Sequence, residues 1–538
     1  MFERKTLTRM QWVVLALAVL LLNAALTFHN VWPTLWIVPA LELSFELGIL
    51  LLGIAGYAAW RGTVSRGARV LLAIVLLLFV IGRYAEVTAP ALYGRPVNFY
   101  WDAQHLPAVG AMLAKVAPWY LIVALALGLA ALLAAIAWLL AFALGRVTSA
   151  ARLPAPRRAL GLVGAALVGG YVLSGTFGWP LRYWYSLPVY DTYLQQARFL
   201  FDAYAAGADR KLPAVPLEAA NLGRLGGADV ELVFLESYGA VSYDVPGIAH
   251  VVAPARGAFA AAVHATGRRV FSTYVESPTF GGGSWLAHIS LMSGTEIRDP
   301  GDYALMMTQR RDTLPKKFVG AGYHAIAVMP GTRNEWPEGS FYGFDAIYGE
   351  REVDYRGPDF GWWRIPDQFT LARVEALAAE EGKRRPLFLF LPTINTHIPF
   401  LPIPPYQPDW QRLAGSEPFA PADVQASLAR VPDWMSLQAP YADSFVYTFT
   451  YLAGYLHERM PADAVLILLG DHQPAASVTG PGARWDVPVH VVTRNDDIAA
   501  ALLAAGFVEG VELPANAHST RKMHELTPVL LHAFDAPQ

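Results

Sequence analysis

The sequence predicts a multi-pass α-helical membrane domain followed by an α/β domain whose mostly parallel sheet is sandwiched by helices. Two observations carry this. Of 538 residues, 54% are hydrophobic and 16% charged, with a mean hydropathy of +0.32, too apolar for an ordinary soluble enzyme. The apolarity is also uneven. Runs of membrane-spanning length fill the first third, whereas short apolar runs alternate with helical patterns from residue 228 onward. The length allows two or three domains with a large core. A net charge of −3 suggests no nucleic-acid partner. Cysteine is absent, which excludes disulfides, thiolate metal sites and cysteine nucleophiles.

Five apolar runs, 11–28, 41–60, 68–84, 119–145 and 159–179, are expected to span a bilayer. The first is preceded by Arg4, Lys5 and Arg9 but lacks a small-residue cleavage site, so it reads as a retained helix. Basic residues gather in the N-terminus, in the 61–69 loop (Arg61, Arg66, Arg69) and in the 146–158 loop (Arg146, Arg152, Arg157, Arg158). The alternate loops and the outer end of the third span hold only Arg83, Arg95 and Lys115. The positive-inside rule then places the N-terminus in the cytoplasm and everything beyond Trp179 outside. Glu42 and Glu46 stand one turn apart at the outer end of the second span, either reaching water or serving a function. Residues 84–118 are expected as an aromatic-rich interfacial loop, and 181–227 as a juxtamembrane linker containing an amphipathic stretch over 190–206. The domains are accordingly 1–180, 181–227 and 228–538.

In the outer domain, strands are expected at 230–235, 270–275, 324–329, 387–392, 464–469 and 487–492. Helices are expected at 256–266, 312–321, 367–381, 440–458 and 496–505, and the Pro-rich stretch 399–432 as an irregular excursion. In open α/β sheets chemistry gathers at strand C-termini, and four strand ends here carry polar residues. Glu231-Leu-Val-Phe-Leu-Glu236 ends in a carboxylate, which alone reads equally well as a turn residue. Three glycines precede Ser284 and a helix-compatible run, so Ser284 is either an N-cap or an exposed hydroxyl at a helix N-terminus. Asn395-Thr-His397 follows a third strand, where a lone histidine is more often structural. Leu469-Gly-Asp-His472 follows a fourth, and adjacent carboxylate and imidazole there suit a hard or borderline divalent cation. Jointly, Glu236, Ser284, Asp471 and His472 fall on one sheet edge. A metal held by two carboxylates and a histidine can lower the pKa of a serine hydroxyl and polarise a phosphoryl oxygen.

With these residues in place, the chain resembles the membrane-anchored lipoteichoic acid synthase and phosphoglycerol transferase family, in the sulfatase-like branch of the alkaline phosphatase superfamily. Phe234-Leu-Glu-Ser-Tyr238 looks like the family's first metal-ligand strand, Gly283-Ser284 like its nucleophile turn, and Leu469-Gly-Asp-His472 like its metal-binding pair. Asn395-Thr-His397 looks like the substrate-side histidine, and Trp336 like the active-site tryptophan. Two departures stand out. Where the family carries a histidine, an acidic residue and an arginine around that tryptophan, this chain has Met329, Gly331 and Glu338, with Arg333 as the substitute for the arginine. Ser277-Pro-Thr-Phe280 does not match the Cys/Ser-x-Pro-x-Arg motif of true sulfatases, which disfavours sulfate-ester hydrolysis.

The resemblance implies transfer of a phosphoglycerol- or phosphoethanolamine-type head group from a phospholipid donor to an envelope glycan or lipid acceptor, through a phospho-serine at Ser284. It implies one divalent metal, Mn²⁺ first and Mg²⁺ or Zn²⁺ as alternatives, on Glu236, Ser284, Asp471 and His472. His397, Trp336 and Arg333 would bind substrate, at the outer face of a bacterial inner membrane. The competing expectations are a membrane-anchored phosphodiesterase or phosphatase that uses water, and a non-catalytic envelope protein keeping the fold.

Overall fold

The computed structural model describes the chain except for residues 1–5, 32–33, 94–96, 98, 100–109, 111–117, 178–180, 182–183, 206–211, 214–216, 218–220, 333–335, 337, 362, 380–383, 416 and 537–538. Its contacts divide it into two compact units, residues 1–91 with 96–207, and residues 92–95 with 208–538.

The first unit is helical: α1 (Arg9–Thr27), α2 (Phe45–Arg61), α3 (Arg66–Tyr93), α4 (Trp119–Ala150), α5 (Pro154–Phe177) and α6 (Val189–Ala205). A small antiparallel pair, β1 (His29–Asn30) and β2 (Ile37–Val38), follows α1. Among the described helices, four are long and apolar enough to cross a membrane: α1, residues 66–92 of α3, α4 and α5. The second expected span is shorter than the sequence suggested. The Ser44 side chain accepts the Leu47 N–H and starts α2 at Phe45, leaving 17 residues, or about 25 Å of helix against a hydrocarbon core of about 30 Å. The third is longer, because α3 runs on through Pro90 to Tyr93 into the stretch expected to be a loop. Glu42 and Glu46 have local partners. Glu42 pairs with His29 at 2.9 Å. Glu46 accepts from the Ser44 hydroxyl at 2.9 Å and from the Tyr190 N–H at 3.4 Å, a carboxylate at a helix N-terminus.

The second unit is built on an eight-stranded sheet: β3 (Val230–Leu235), β4 (Arg269–Glu276), β5 (His324–Val328), β6 (Ala346–Tyr348), β7 (Leu387–Pro392), β8 (Val465–Gly470), β9 (Asp486–Thr493) and β10 (Val508–Glu509). Their order is β10-β4-β9-β8-β3-β7-β5-β6. The pairs β8–β3, β3–β7, β7–β5 and β5–β6 are parallel, whereas β9 runs antiparallel to both neighbours and β10 antiparallel to β4. The central strands are buried on both faces, which is why they read as unbroken apolar runs. Val233 and Leu235 of β3 enter one core, and Val230, Leu232 and Phe234 the other.

Helices cover both faces. Of the expected ones, α7 (Pro246–Ala265) begins ten residues early, with Pro246 in its first turn and Pro254 inside it. α8 (Ser284–Ser293), α9 (Asp367–Leu377), α10 (Gln438–Glu458) and α11 (Asp496–Ala504) complete the frame. The Pro-rich stretch is irregular apart from a short 3₁₀ turn and a helix at Pro421–Leu428.

A candidate metal centre at the strand ends

Register sets the site. Leu235 is the partner of Gly470 in the parallel pair β3–β8, so Glu236 and Asp471 leave the sheet side by side. Gly470 is needed there, since a Cβ on it would stand 1.9 Å from the Tyr238 carbonyl oxygen. Ser237 adopts a left-handed φ of 59°, held by its N–H to Asp471 Oδ1 at 2.8 Å and by the Tyr441 hydroxyl on its carbonyl at 3.0 Å. Each of Glu236, Asp471 and His472 offers a ligand atom, all within 4.8 Å of one another.

Ser284 joins them from β4. After Glu276 the chain turns through Gly281, Gly282 and Gly283 at φ 67°, 141° and 80°, a path that side chains resist, and α8 starts at Ser284 itself. The helix has Gly283 as its cap, with no side-chain capping bond. The Ser284 hydroxyl instead lies 3.0 Å from Glu236 Oε2 and 3.2 Å from His472 Nε2. The N-cap alternative for Ser284 is therefore not the observed arrangement.

Hydrogen bonds to backbone set the tautomers. His472 Nδ1 is 2.7 Å from the Gln473 carbonyl, which can only accept, so Nδ1 carries the proton and Nε2 presents its lone pair to Ser284, Glu236 Oε1 (3.5 Å) and Asp471 Oδ2 (3.5 Å). Burial, and then the neighbouring Glu236, push Asp471 up to about 6. For His472 burial pulls downward, but Asp471, Glu236 and the Gln473 carbonyl outweigh it and the net shift is up. Two buried carboxylates crowding an imidazole lack a positive charge, and a donor set of two carboxylates, one imidazole and a hydroxyl fits a hard or borderline divalent cation.

The remaining expected residues are placed unevenly. His397 donates Nδ1–H to the Ile398 carbonyl at 2.7 Å. Its chain neighbour Thr396 bonds the Glu236 carbonyl at 2.6 Å, which keeps this loop at the cluster, and burial lowers the His397 pKa, favouring the neutral ring with Nε2 free of the proton. Trp336 is outside the hydrogen-bonded group and packs 5.1 Å from the Tyr342 ring. Arg333 lies outside the described residues. His288, one turn after Ser284, packs between Phe234 (4.5 Å, tilted) and Phe390 (5.3 Å, edge-on) and is pushed down to about 4 by burial.

A supporting shell escaped the sequence reading. Thr393 Oγ1 accepts the Glu236 N–H at 3.0 Å, and the Thr396 hydroxyl donates to the Glu236 carbonyl at 2.6 Å. The Ser277 hydroxyl donates to the Asp471 carbonyl at 2.6 Å. Fully buried Asp367 accepts the N–H groups of Ile394 and Asn395, which braces the loop carrying His397. Burial lifts Asp367 to about 7. Thr396 and Asn395 sit inside the Asn-Thr-His motif and were open to notice; Asp367 had no local signal.

Residues 304–518 match the Sulfatase family model. That match includes Trp336, His397, Asp471 and His472 and begins after Glu236 and Ser284. No curated protein matches the chain. Similar solved structures include phosphoglycerol transferase GacH of Streptococcus pyogenes in complex with sn-glycerol-1-phosphate, at 12% identity over 63% of this chain and 90% of that one, TM-score 0.36. Lipoteichoic acid synthase LtaP of Listeria monocytogenes is 14% identical over 55% and 71%, TM-score 0.34. The C-terminal periplasmic domain of EcEptC from Escherichia coli, in complex with Zn, is 14% identical over 60% and 85%, TM-score 0.37.

Proposed function

We propose that this chain is a membrane-anchored phosphotransferase that moves a phosphate-linked head group from a phospholipid to an envelope glycan or lipid. The observation that carries the reading is the Ser284 hydroxyl at a helix N-terminus, within hydrogen-bond reach of both Glu236 Oε2 and His472 Nε2. Glu236, Asp471 and His472, with Ser284, would hold one divalent ion, Mn²⁺ before Mg²⁺ or Zn²⁺, which supplies Lewis acidity that lowers the hydroxyl pKa and offsets charge on phosphoryl oxygens.

In the first half-reaction the Ser284 Oγ–P bond forms as the bond from phosphorus to the diacylglycerol oxygen breaks, the hydroxyl proton passing to Glu236 Oε2, its hydrogen-bond acceptor, while the departing diacylglycerol oxygen takes a proton from solvent. In the second, an acceptor hydroxyl attacks the phospho-serine and restores Ser284. His397 Nε2, unprotonated because Nδ1–H is committed to Ile398, is suited to take that hydroxyl's proton. Trp336 and Arg333 would line the head-group pocket. The domain is assigned to the outer face of a bacterial inner membrane, with the N-terminus cytoplasmic, on the distribution of Arg and Lys between loops and with the 17-residue α2 counted as a fifth, short span.

The test is mass spectrometry of the full chain incubated with Mn²⁺ and mixed phospholipids. The expected result is an added phospho-head-group mass at Ser284, absent in Ser284→Ala, together with a loss of transfer in that variant of at least about a thousandfold. Full head-group transfer by Ser284→Ala would refute the reading. Product analysis with and without an acceptor alcohol separates transfer from hydrolysis.

A further inference from the structure

Gln473 follows His472 and is 1% exposed. Its carbonyl accepts twice, from His472 Nδ1–H at 2.7 Å and from the Gly281 N–H at 3.0 Å. One oxygen therefore aims the imidazole and ties down the glycine turn that presents Ser284. The side chain is held as firmly. Oε1 accepts the Val241 N–H at 3.2 Å, and Nε2 donates to the Arg484 carbonyl at 2.9 Å. Arg484 is itself fixed by two bonds to Asp244, at 2.7 and 3.0 Å. The amide of Gln473 fills a niche in the turn after Glu236. A Cβ on Gly239 would stand 1.8 Å from Gln473 Oε1 and 2.5 Å from its Cδ. Gly239 has no left-handed φ, so the need for glycine there is one of space. Gln473 thus reaches all three chain segments that deliver Glu236, Ser284 and His472.

We infer that Gln473 is a positioning residue for the phosphoryl-transfer site: its locked amide fixes the carbonyl that orients His472 and holds the Ser284 turn. The inference rests on the transferase reading above. The group bonded to the second nitrogen of a ligand histidine sets its tautomer and ring angle. A nucleophile displaced by about 1 Å loses about a hundredfold in rate. One carbonyl here governs both, and it stays in place only while the side chain of the same residue is anchored.

The first test needs no variant. Hydrogen–deuterium exchange of the metal-free full chain in detergent micelles should show the Gly281 N–H protected, although it lies in a turn of three glycines. Gln473→Met keeps the side-chain length and removes both side-chain hydrogen bonds, and in it that N–H should exchange about fivefold faster. The β3 amides should be unchanged. Gly239→Ala should give the same pattern with residue 473 intact, by crowding the niche. With Mn²⁺, both variants should lose about ten- to hundredfold in ion affinity by calorimetry or in turnover of bis(p-nitrophenyl) phosphate. At saturating Mn²⁺, kcat and kcat/KM should fall together, as when an interaction made only in the transition state is lost. An unprotected Gly281 N–H in the parent overturns the proposal, as do parent-like exchange and kcat in Gln473→Met. Equal acceleration in β3 overturns it too, since Gln473 would then serve stability alone. A parent that turns over no phosphodiester sinks the transferase reading, and exchange with Mn²⁺ affinity then decides the positioning role.

Discussion

Ser284 and Glu236 are joined by a 3.0 Å hydrogen bond from hydroxyl to carboxylate, which ties the first residue of α8 to the end of β3. The bond brings a hydroxyl and a carboxylate together from separate parts of the sheet, since β4 and β3 are separated by β9 and β8.

Metal-free protein is expected to be acid-stabilised at this site. Asp471 has a folded pKa of about 6 against an ordinary value of 3.8. The folded state therefore keeps a proton that the unfolded chain loses, and stability falls as pH rises from about 4 to about 6. His472, also shifted up, acts in the same direction at higher pH. Other buried groups titrate too, so the measurement is a difference. Chemical denaturation of chelated parent and Asp471→Asn at pH 4 and pH 6 should show the parent losing up to about 3 kcal/mol relative to the variant. Adding Mn²⁺ should remove that loss in the parent alone. An unchanged difference between the two pH values would refute it.

Gly470→Ala should be severe. A methyl group 1.9 Å from the Tyr238 carbonyl oxygen requires β8 or the Ser237–Tyr238 turn to move, at a cost expected above about 4 kcal/mol. The check is the urea midpoint of the soluble fraction, with loss of Mn²⁺ binding if any folded protein is recovered. Near-parent stability would show that the turn yields freely.

Thr396→Val separates support from ligation. It keeps the shape of a fully buried side chain and removes the donor to the Glu236 carbonyl. Stability should drop by about 1–3 kcal/mol and Mn²⁺ affinity by about tenfold, both readable by calorimetry. An affinity equal to the parent's would mean that Glu236 is held without this threonine.

The strand ends were legible because β3, β7 and β8 are buried on both faces, so each reads as an apolar run that stops where polarity returns. Asp471-His472 and Glu236 stood out for that reason alone. The direction of β9 was not legible: an apolar run carries no sign of whether the chain enters it from the top or the bottom. The expected helix at 256–266 missed the start of α7, which runs from Pro246 through Pro254. Hydroxyl donors such as Thr396 and Tyr441 act through partners more than a hundred residues away in sequence, which no local pattern reports.

The order of the strands also sets a timetable. Glu236 and Ser284 emerge from the ribosome first, but β8, which delivers Asp471 and His472, follows only after β5, β6 and β7 and pairs directly with β3. No nascent fragment ending before Val465 holds the three clustered ligands. The sheet must hold a central slot for a late strand, and assembly of the three-residue cluster is thereby deferred until β8 has been made.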